Sequence, residues 1–523
     1  MNDQELRRLQ EIDKRVKEIA SENGLITTDI LFELVSPQRM IEAMAYNFPT
    51  NYSSWDHGRD YDRQRTIYDY SGTGIPYEVV WNFNTPRAFL VDTNPFALNV
   101  LILCHVYAHV DFFLGSTLLQ KSRAMGDMAQ EAREAEKRFR GYEAKYGRDE
   151  LERTIEAAKA IQWLQDPDPY AQDVDEEELR QHLIRLKQEE LRRFQDLRTQ
   201  TGGRGISGKD IERVEAELKK IKYRTPVVDE HDLLRYIIGH SPKPLRDWQK
   251  DVLSVIRLQA RYLGPQMRTK LLNEGWATYW HTRIMRQLFE EGLLTDEEHG
   301  IYNEYHKNVL TKNRTRFNWY RVGLHLFEYV EERWNRGQFG RKYKESEDPH
   351  KRSDWDSGAG MGREKIFEVR THFTDRMAIE EFFTEEFMRQ EELYIWGEML
   401  LNDEVVYVII EDDLEKIRKI LLRQHTLYNI PLIFVKDGNA FGSSGLYLVH
   451  EYTGFELNEV FETGALEYVQ YLWGKTVNLE TILEEEDLDE EGGIAFVPIL
   501  HSYNGKSHKV KVLDQTRNPR FPK

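Results

Sequence analysis

Two histidines four residues apart, His105 and His109, stand in the apolar run CHVYAHVDFF and could hold a metal ion. Residues i and i+4 share one face of a helix, so both imidazoles can turn toward a common cation. A histidine on an apolar helix is also an ordinary core residue, so the pair needs a third donor before it reads as a site. The stretch LLNEGWATYWH offers one in Glu274, with His281 two helical turns further along the same face. A buried carboxylate needs a compensating charge, which a divalent ion supplies. Two histidines and a glutamate make a three-ligand zinc set with an open position for water, as in hydrolytic zinc sites.

Other groups could complete such a centre. His281 reads as a fourth ligand or as the group that stabilises a developing oxyanion. Asp111 reads as a ligand or as a partner that orients His109. Glu230, in the DEHD turn with His231 and Asp232, is a candidate acid or base. So are His240 and Glu78, the latter in YEVV, where burial would raise a carboxyl pKa. Each of these three is also readable as structural. The aromatic residues Tyr52, Trp55, Tyr77 and Trp81 could wall a pocket.

The elements that must position these groups are mainly helical. Residues 1–22 pattern as a surface helix. Asn94-Pro95 breaks the chain before a long apolar helix that carries the histidine pair. Residues 120–225 are dense in Glu, Lys, Arg, Ala and Leu, with Leu179, Leu183, Leu186 and Leu191 at near-helical spacing; helical hairpins or a short coiled coil with a solvated charged face are predicted. After Trp396 short strands alternate with helices. The predicted class is mainly α, with an aromatic-rich strand and loop segment and a small C-terminal α+β domain. Its parts are a helical core of residues 1–119 and 226–340 around the metal candidates, a charged helical insert at 120–225, a connecting segment at 341–400, and the C-terminal domain at 401–523.

Composition bounds the function. Of 523 residues, 40% are hydrophobic and 12% aromatic, enough for a large core. A formal net charge of −18 argues against broad binding to nucleic acid or anionic membranes, which need a cationic face. Cys104 is the only cysteine, so a disulfide framework within the chain and cysteine zinc knuckles are excluded. The first twenty residues are charged and lack the apolar centre of a signal peptide. No run reads as the roughly 20 apolar residues of a membrane span. The expected location is the cytoplasm.

Two resemblances follow from these residues. NEGWATY looks like the second metal-binding element of gluzincin-type aminopeptidases, with Glu274 at the ligand position. The general-base glutamate of that family would stand at 106, where this chain has Val106, and the two elements are much further apart here. Over most of its length the chain is similar to the stage V sporulation protein R (SpoVR) family. NYSSWDHGRDYDRQ, GIPYEVVWNFNT, CHVYAHVDFF, DLLRYIIGHSPKPLRDWQKDVL, LLNEGWATYWH, KIFEVRTHFTD, IPLIFVKDGN and LYLVHEYTGFEL carry that resemblance. Ala108 replaces a common glycine, and Leu114-Gly115-Ser116 a common Lys-Asn-Asn. The resemblance implies a role in sporulation, in particular in forming the spore cortex. It also implies genomic association with a PrkA-type kinase and a YeaH-type protein bearing a von Willebrand A-like domain. It brings no settled activity. Two functions are therefore expected: a zinc-dependent hydrolase of amide bonds in peptides or wall precursors, or a non-catalytic regulatory or assembly protein with a structural metal or a buried polar network.

Overall fold

The long apolar helix forms as expected, over Phe96–Gly115, in a computed structural model. The structure describes all residues except 47–49, 51, 71–78, 167–170, 172, 203–206, 313, 315–316, 347–351, 353, 402–403, 428–429, 488–492 and 514–523. The protein is mainly α with a C-terminal α+β region. It divides into two compact units, Met1–Arg140 with Arg261–Asn429, and Gly141–Ala260 with Ile430–Lys523.

The first unit is built around Phe96–Gly115. Every residue from Ala97 to Phe113 is buried, so the helix has no solvent stripe and no amphipathic period. It is long and apolar enough to cross a membrane, contrary to the sequence expectation, but 94% of its apolar window is buried inside the protein. Arg87–Val91 leads into it as the central strand of a three-stranded sheet, parallel to Leu31–Val35 and antiparallel to Val79–Trp81. Asn99 ties strand to helix by donating to the Val91 carbonyl at 3.4 Å.

The helix Lys270–Glu290 crosses this core and buries Trp276, Tyr279 and Trp280 completely. Its start is capped from far along the chain. Asp375 is fully buried and accepts from the backbone N–H groups of Leu271 (2.8 Å) and Leu272 (3.0 Å). Asp375→Ala should lower unfolding stability by about 2–4 kcal/mol, adding the loss of a cap to buried, unpaired N–H groups. Urea denaturation measures this, and a loss under about 0.5 kcal/mol, the scale of an ordinary surface change, would contradict it. Gly275 lets the same helix touch Trp319–Arg336 backbone to backbone at Gly323.

The second unit carries a five-stranded sheet in the order His508–Val512, Gly493–Tyr503, Val477–Asp487, Gly445–His450, Ile433–Ala440. All its pairs are antiparallel except Gly445–His450 with Val477–Asp487, which are parallel and joined through the helix Glu459–Trp473. The charged insert is helical as expected. Its long helix Glu176–Thr201 buries no residue, and Leu186 is 48% exposed, so the leucine stripe is not core.

The seams between units differ from those expected. Residues 226–260 go with the C-terminal sheet because Glu230 and Val435 exchange two backbone hydrogen bonds, 3.1 and 2.7 Å. Residues 341–429 go with the helical core because Arg370 and Asp375 anchor in it.

Candidate metal centre

Helical spacing turns His105 and His109 toward one side of Phe96–Gly115, and Lys270–Glu290 presents Glu274 to them. The Oε2 of Glu274 lies 3.7 Å from Nε2 of His105 and 3.6 Å from Nε2 of His109. These three donor atoms all lie within 4.8 Å of one another. The histidine side chains are 3% and 4% exposed and that of Glu274 17%, so the group is deep, with Glu274 the least buried of the three.

These separations are informative. They are too long for hydrogen bonds, which end near 3.2 Å for N–H···O. They approach the edges of about 3.3–3.4 Å that separate ligands of a tetrahedral ion bound at about 2.0–2.1 Å. Oε2 of Glu274 is buried and has no hydrogen-bond partner among the described residues. A carboxylate oxygen in that condition is costly unless a cation compensates it.

The other ring nitrogens are engaged in ways that aim the donors. His109 Nδ1 is 2.9 Å from Oδ1 of Asn273, an oxygen that only accepts, so Nδ1 carries the proton and Nε2 is left with its lone pair toward Glu274. His105 Nδ1 is 2.8 Å from His281 Nδ1, and His281 Nε2 is 3.1 Å from His306 Nδ1. If His105 Nε2 offers its lone pair, its Nδ1–H donates to His281, whose Nε2–H donates to His306. The chain of imidazoles runs from buried His105 to half-buried His306 on the helix Asp296–Val309.

The electrostatics agree with neutral donors. Burial, reinforced by His105, pulls His109 down to about 4, so it is neutral at pH 7. Burial and the surrounding imidazoles also lower His281, and burial lowers His306. Burial resists the ionisation of Glu274; His105 and His109 oppose it and bring the carboxyl down to about 2 only where those rings carry a proton, a charge that His109 lacks at pH 7. Cys104, next to His105, is no thiolate, because burial pushes its thiol far up.

The sequence candidates separate accordingly. His105, His109, Glu274 and His281 come together. His281 meets the outer nitrogen of His105, on the other side of the ring from the nitrogen that faces Glu274. Asp111 is neither a ligand nor the partner of His109. It is fully buried and accepts from Trp276 Nε1 and the Ile26 N–H, both at 2.8 Å, beside Arg370 at 3.3 Å. Glu230 and His240 belong to the other compact unit, where each has local partners. Glu230 accepts from the Asp232 N–H at 2.9 Å, and His240 pairs with Glu176 at 3.0 Å. Glu78 and Tyr77 lie outside the described residues. Tyr52 packs tilted against Phe139 and Trp81 meets Phe89 edge to face, while Trp55 is 48% exposed.

Asn273, His306 and Tyr320 escaped the sequence reading. Asn273 precedes the glutamate in LLNEGW and shares a face with His281, so helical spacing could have found it. His306 and Tyr320, whose ring lies 6.0 Å from that of His105, come from separate helices with no motif.

The comparisons agree over most of the chain. A family model described as "SpoVR like protein" matches residues 3–430. The chain is 25% identical over 503 residues to a protein of Escherichia coli (strain K12) described as "Uncharacterized protein YcgB", covering 92% of each. No solved structure matches.

Proposed function

This chain belongs to the SpoVR family, and from that premise we propose that it is a zinc-dependent amide hydrolase serving sporulation-linked physiology. Its substrate class is a peptide or a cytoplasmic wall precursor of the kind needed for spore cortex. One observation carries the reading: the buried Oε2 of Glu274, unpartnered, at 3.6–3.7 Å from two imidazole nitrogens. His105, His109 and Glu274 are the ligands, and the likeness of NEGWATY to the gluzincin element supports the same set.

His105, His109 and Glu274 would hold a zinc ion, which would supply polarisation of a carbonyl and a lowered pKa of water. The residues of the chain do the rest. Asn273 fixes the tautomer of His109. His281 orients His105, and through His306 gives the Nδ1 proton an exchange path outward. His281 is therefore a positioning residue, and Glu274, the least buried of the three, marks the side from which substrate approaches.

A second reading rests on Val106. Valine cannot move a proton, and it stands where the gluzincin base would be. In this reading the metal is structural and the protein is a regulatory or assembly factor, with a PrkA-type kinase and a YeaH-type von Willebrand A-like protein as partners.

Elemental analysis of purified protein, followed by amide-cleavage assays on peptides and wall-precursor fragments, tests both. Zinc-loaded protein should cleave, lose activity to a chelator and regain it with zinc. Asn273→Ala should weaken zinc binding about 10–100-fold with unchanged circular dichroism, as loss of a partner behind a ligand does. Loaded but inert protein supports the second reading. Absence of any metal affinity at this cluster would make it a core of satisfied histidines and end both.

A further inference from the structure

We propose that Glu462, His501 and His508 form a second site for a divalent transition-metal ion, which pins the edge strand of the C-terminal sheet. All three lie in the second compact unit and beyond the region that the family model matches. They are independent of the centre at Glu274.

The topology brings them together. His501 is on Gly493–Tyr503 and pairs across the ladder with Val510 of His508–Val512. His508 is two residues from Val510, so both histidines point to the same face of the sheet. Glu462, in the first turn of Glu459–Trp473, meets them there. Nδ1 of His501 is 2.8 Å from Oε1 of Glu462 and 3.1 Å from Nε2 of His508. The three donor atoms lie within 4.8 Å of one another.

Among the described residues, Oε1 of Glu462 and Nε2 of His501 are buried without hydrogen-bond partners. Nδ1 of His501 can carry one proton, and that proton can point at only one of its two neighbours. Oε1 of Glu462 is buried with no partner in hydrogen-bond geometry despite its short distance, and the side chain is 5% exposed. An ion bound by all three donors satisfies the oxygen and both nitrogens at once, and the donors need only move slightly apart to reach about 3.3 Å. Two imidazoles and one carboxylate select a first-row ion such as zinc or cobalt, and discriminate against calcium and magnesium, which prefer oxygen. Half-buried His508 leaves a route for the ion to enter.

Such an ion would join three elements: the edge strand, its neighbour and the overlying helix. Edge strands are held from one side only, so this strand gains most from the link.

The test uses the full chain with zinc, and with cobalt as a visible probe. Wild-type protein should bind two equivalents. Glu274→Gln, which disables the first centre, should retain one. Adding His508→Ala or Glu462→Gln to that variant should weaken the remaining equivalent at least 100-fold and abolish its cobalt absorption. Zinc should also slow amide exchange in residues 508–512 in the Glu274→Gln protein. His508 is half-buried on an edge, so its variant keeps the readout should His501→Ala fail to fold. If the Glu274→Gln protein binds no zinc, or binds it equally after His508→Ala, the triad is an ordinary glutamate–histidine pair and the proposal is overturned. Failure of the first centre alone looks different: one equivalent in the wild type, lost with His508→Ala and indifferent to Glu274→Gln.

Discussion

Glu274→Gln is expected to cost the protein one bound zinc ion and to make the metal-free protein more stable. The amide keeps the shape of the carboxylate and removes its charge. In the metal-free wild type, Oε2 is buried without a hydrogen-bond partner, 3.6 Å from His109, which is neutral above about pH 4. Imidazoles hold Glu274 low only to the extent that they carry charge, and at pH 7 His109 carries none. Removing a buried charge in that state should raise stability by about 1–3 kcal/mol in a chelator. With zinc the order reverses. Wild-type protein gains about 2.7 kcal/mol when free zinc is 100 times its dissociation constant, and the variant gains nothing at this centre. Zinc affinity here should fall more than about 100-fold, since losing a mere partner of a ligand costs 10–100-fold. Urea unfolding of both proteins, with chelator and with zinc, gives all four numbers, and doing so in the His508→Ala background isolates this centre. The competing account treats Glu274 as the ion-pair partner of a protonated histidine. It requires the glutamine variant to be the less stable in chelator and zinc to change neither protein. That outcome would end the metal centre.

The cluster of two histidines and a glutamate was legible because helical spacing is local. His105 and His109 sit one turn apart, and Glu274 and His281 two turns apart, so each pair is placed by backbone geometry alone. That the two helices meet is not local; the need of a buried carboxylate for a cation and the likeness of NEGWATY to the gluzincin element suggested it. The role of Asp111 shows where this reasoning stops. A carboxylate two residues after a histidine suggests coordination, but the tertiary packing of Trp276 and Ile26 claims both of its oxygens. Glu230 and His240 belong to the other compact unit. Their stretch is helical and aromatic-rich like the core, and composition cannot say that Glu230 pairs with a strand two hundred residues on. The second triad was invisible for the opposite reason. His501 and His508 are seven apart, a spacing that suggests nothing until a tight hairpin makes them neighbours on one face. The mainly α class with its C-terminal α+β region was readable from periodicity, because helical stripes and short apolar strands are written in the local pattern.

Gly275→Ala should destabilise the first unit, although alanine is the better helix former. A Cβ at 275 would lie 2.5 Å from both Cα and the carbonyl carbon of Gly323 and 2.7 Å from its oxygen. The reciprocal change at Gly323 would place a Cβ 2.6 Å from Gly275 Cα and from the Leu271 carbonyl oxygen. Backbone atoms cannot rotate away as a flexible side chain can, so the helices Lys270–Glu290 and Trp319–Arg336 must move apart. Overpacking of a rigid core costs about 1–3 kcal/mol, and with backbone on both sides the upper end applies. It is offset by the gain of about 1 kcal/mol in intrinsic helix propensity. Gly300 supplies the control: it is exposed in the helix Asp296–Val309, and an added Cβ there meets nothing within 4 Å. Gly300→Ala should therefore stabilise by about 0.5–1 kcal/mol, and Gly275→Ala should destabilise by about 2 kcal/mol net. Because Glu274 precedes the contact, the shift should also move its carboxylate and weaken zinc binding, whereas Gly300→Ala should leave binding unchanged. Equal urea midpoints for the two variants would mean that the helices have room to part. Glu274 would then owe its place to something other than the glycine contact.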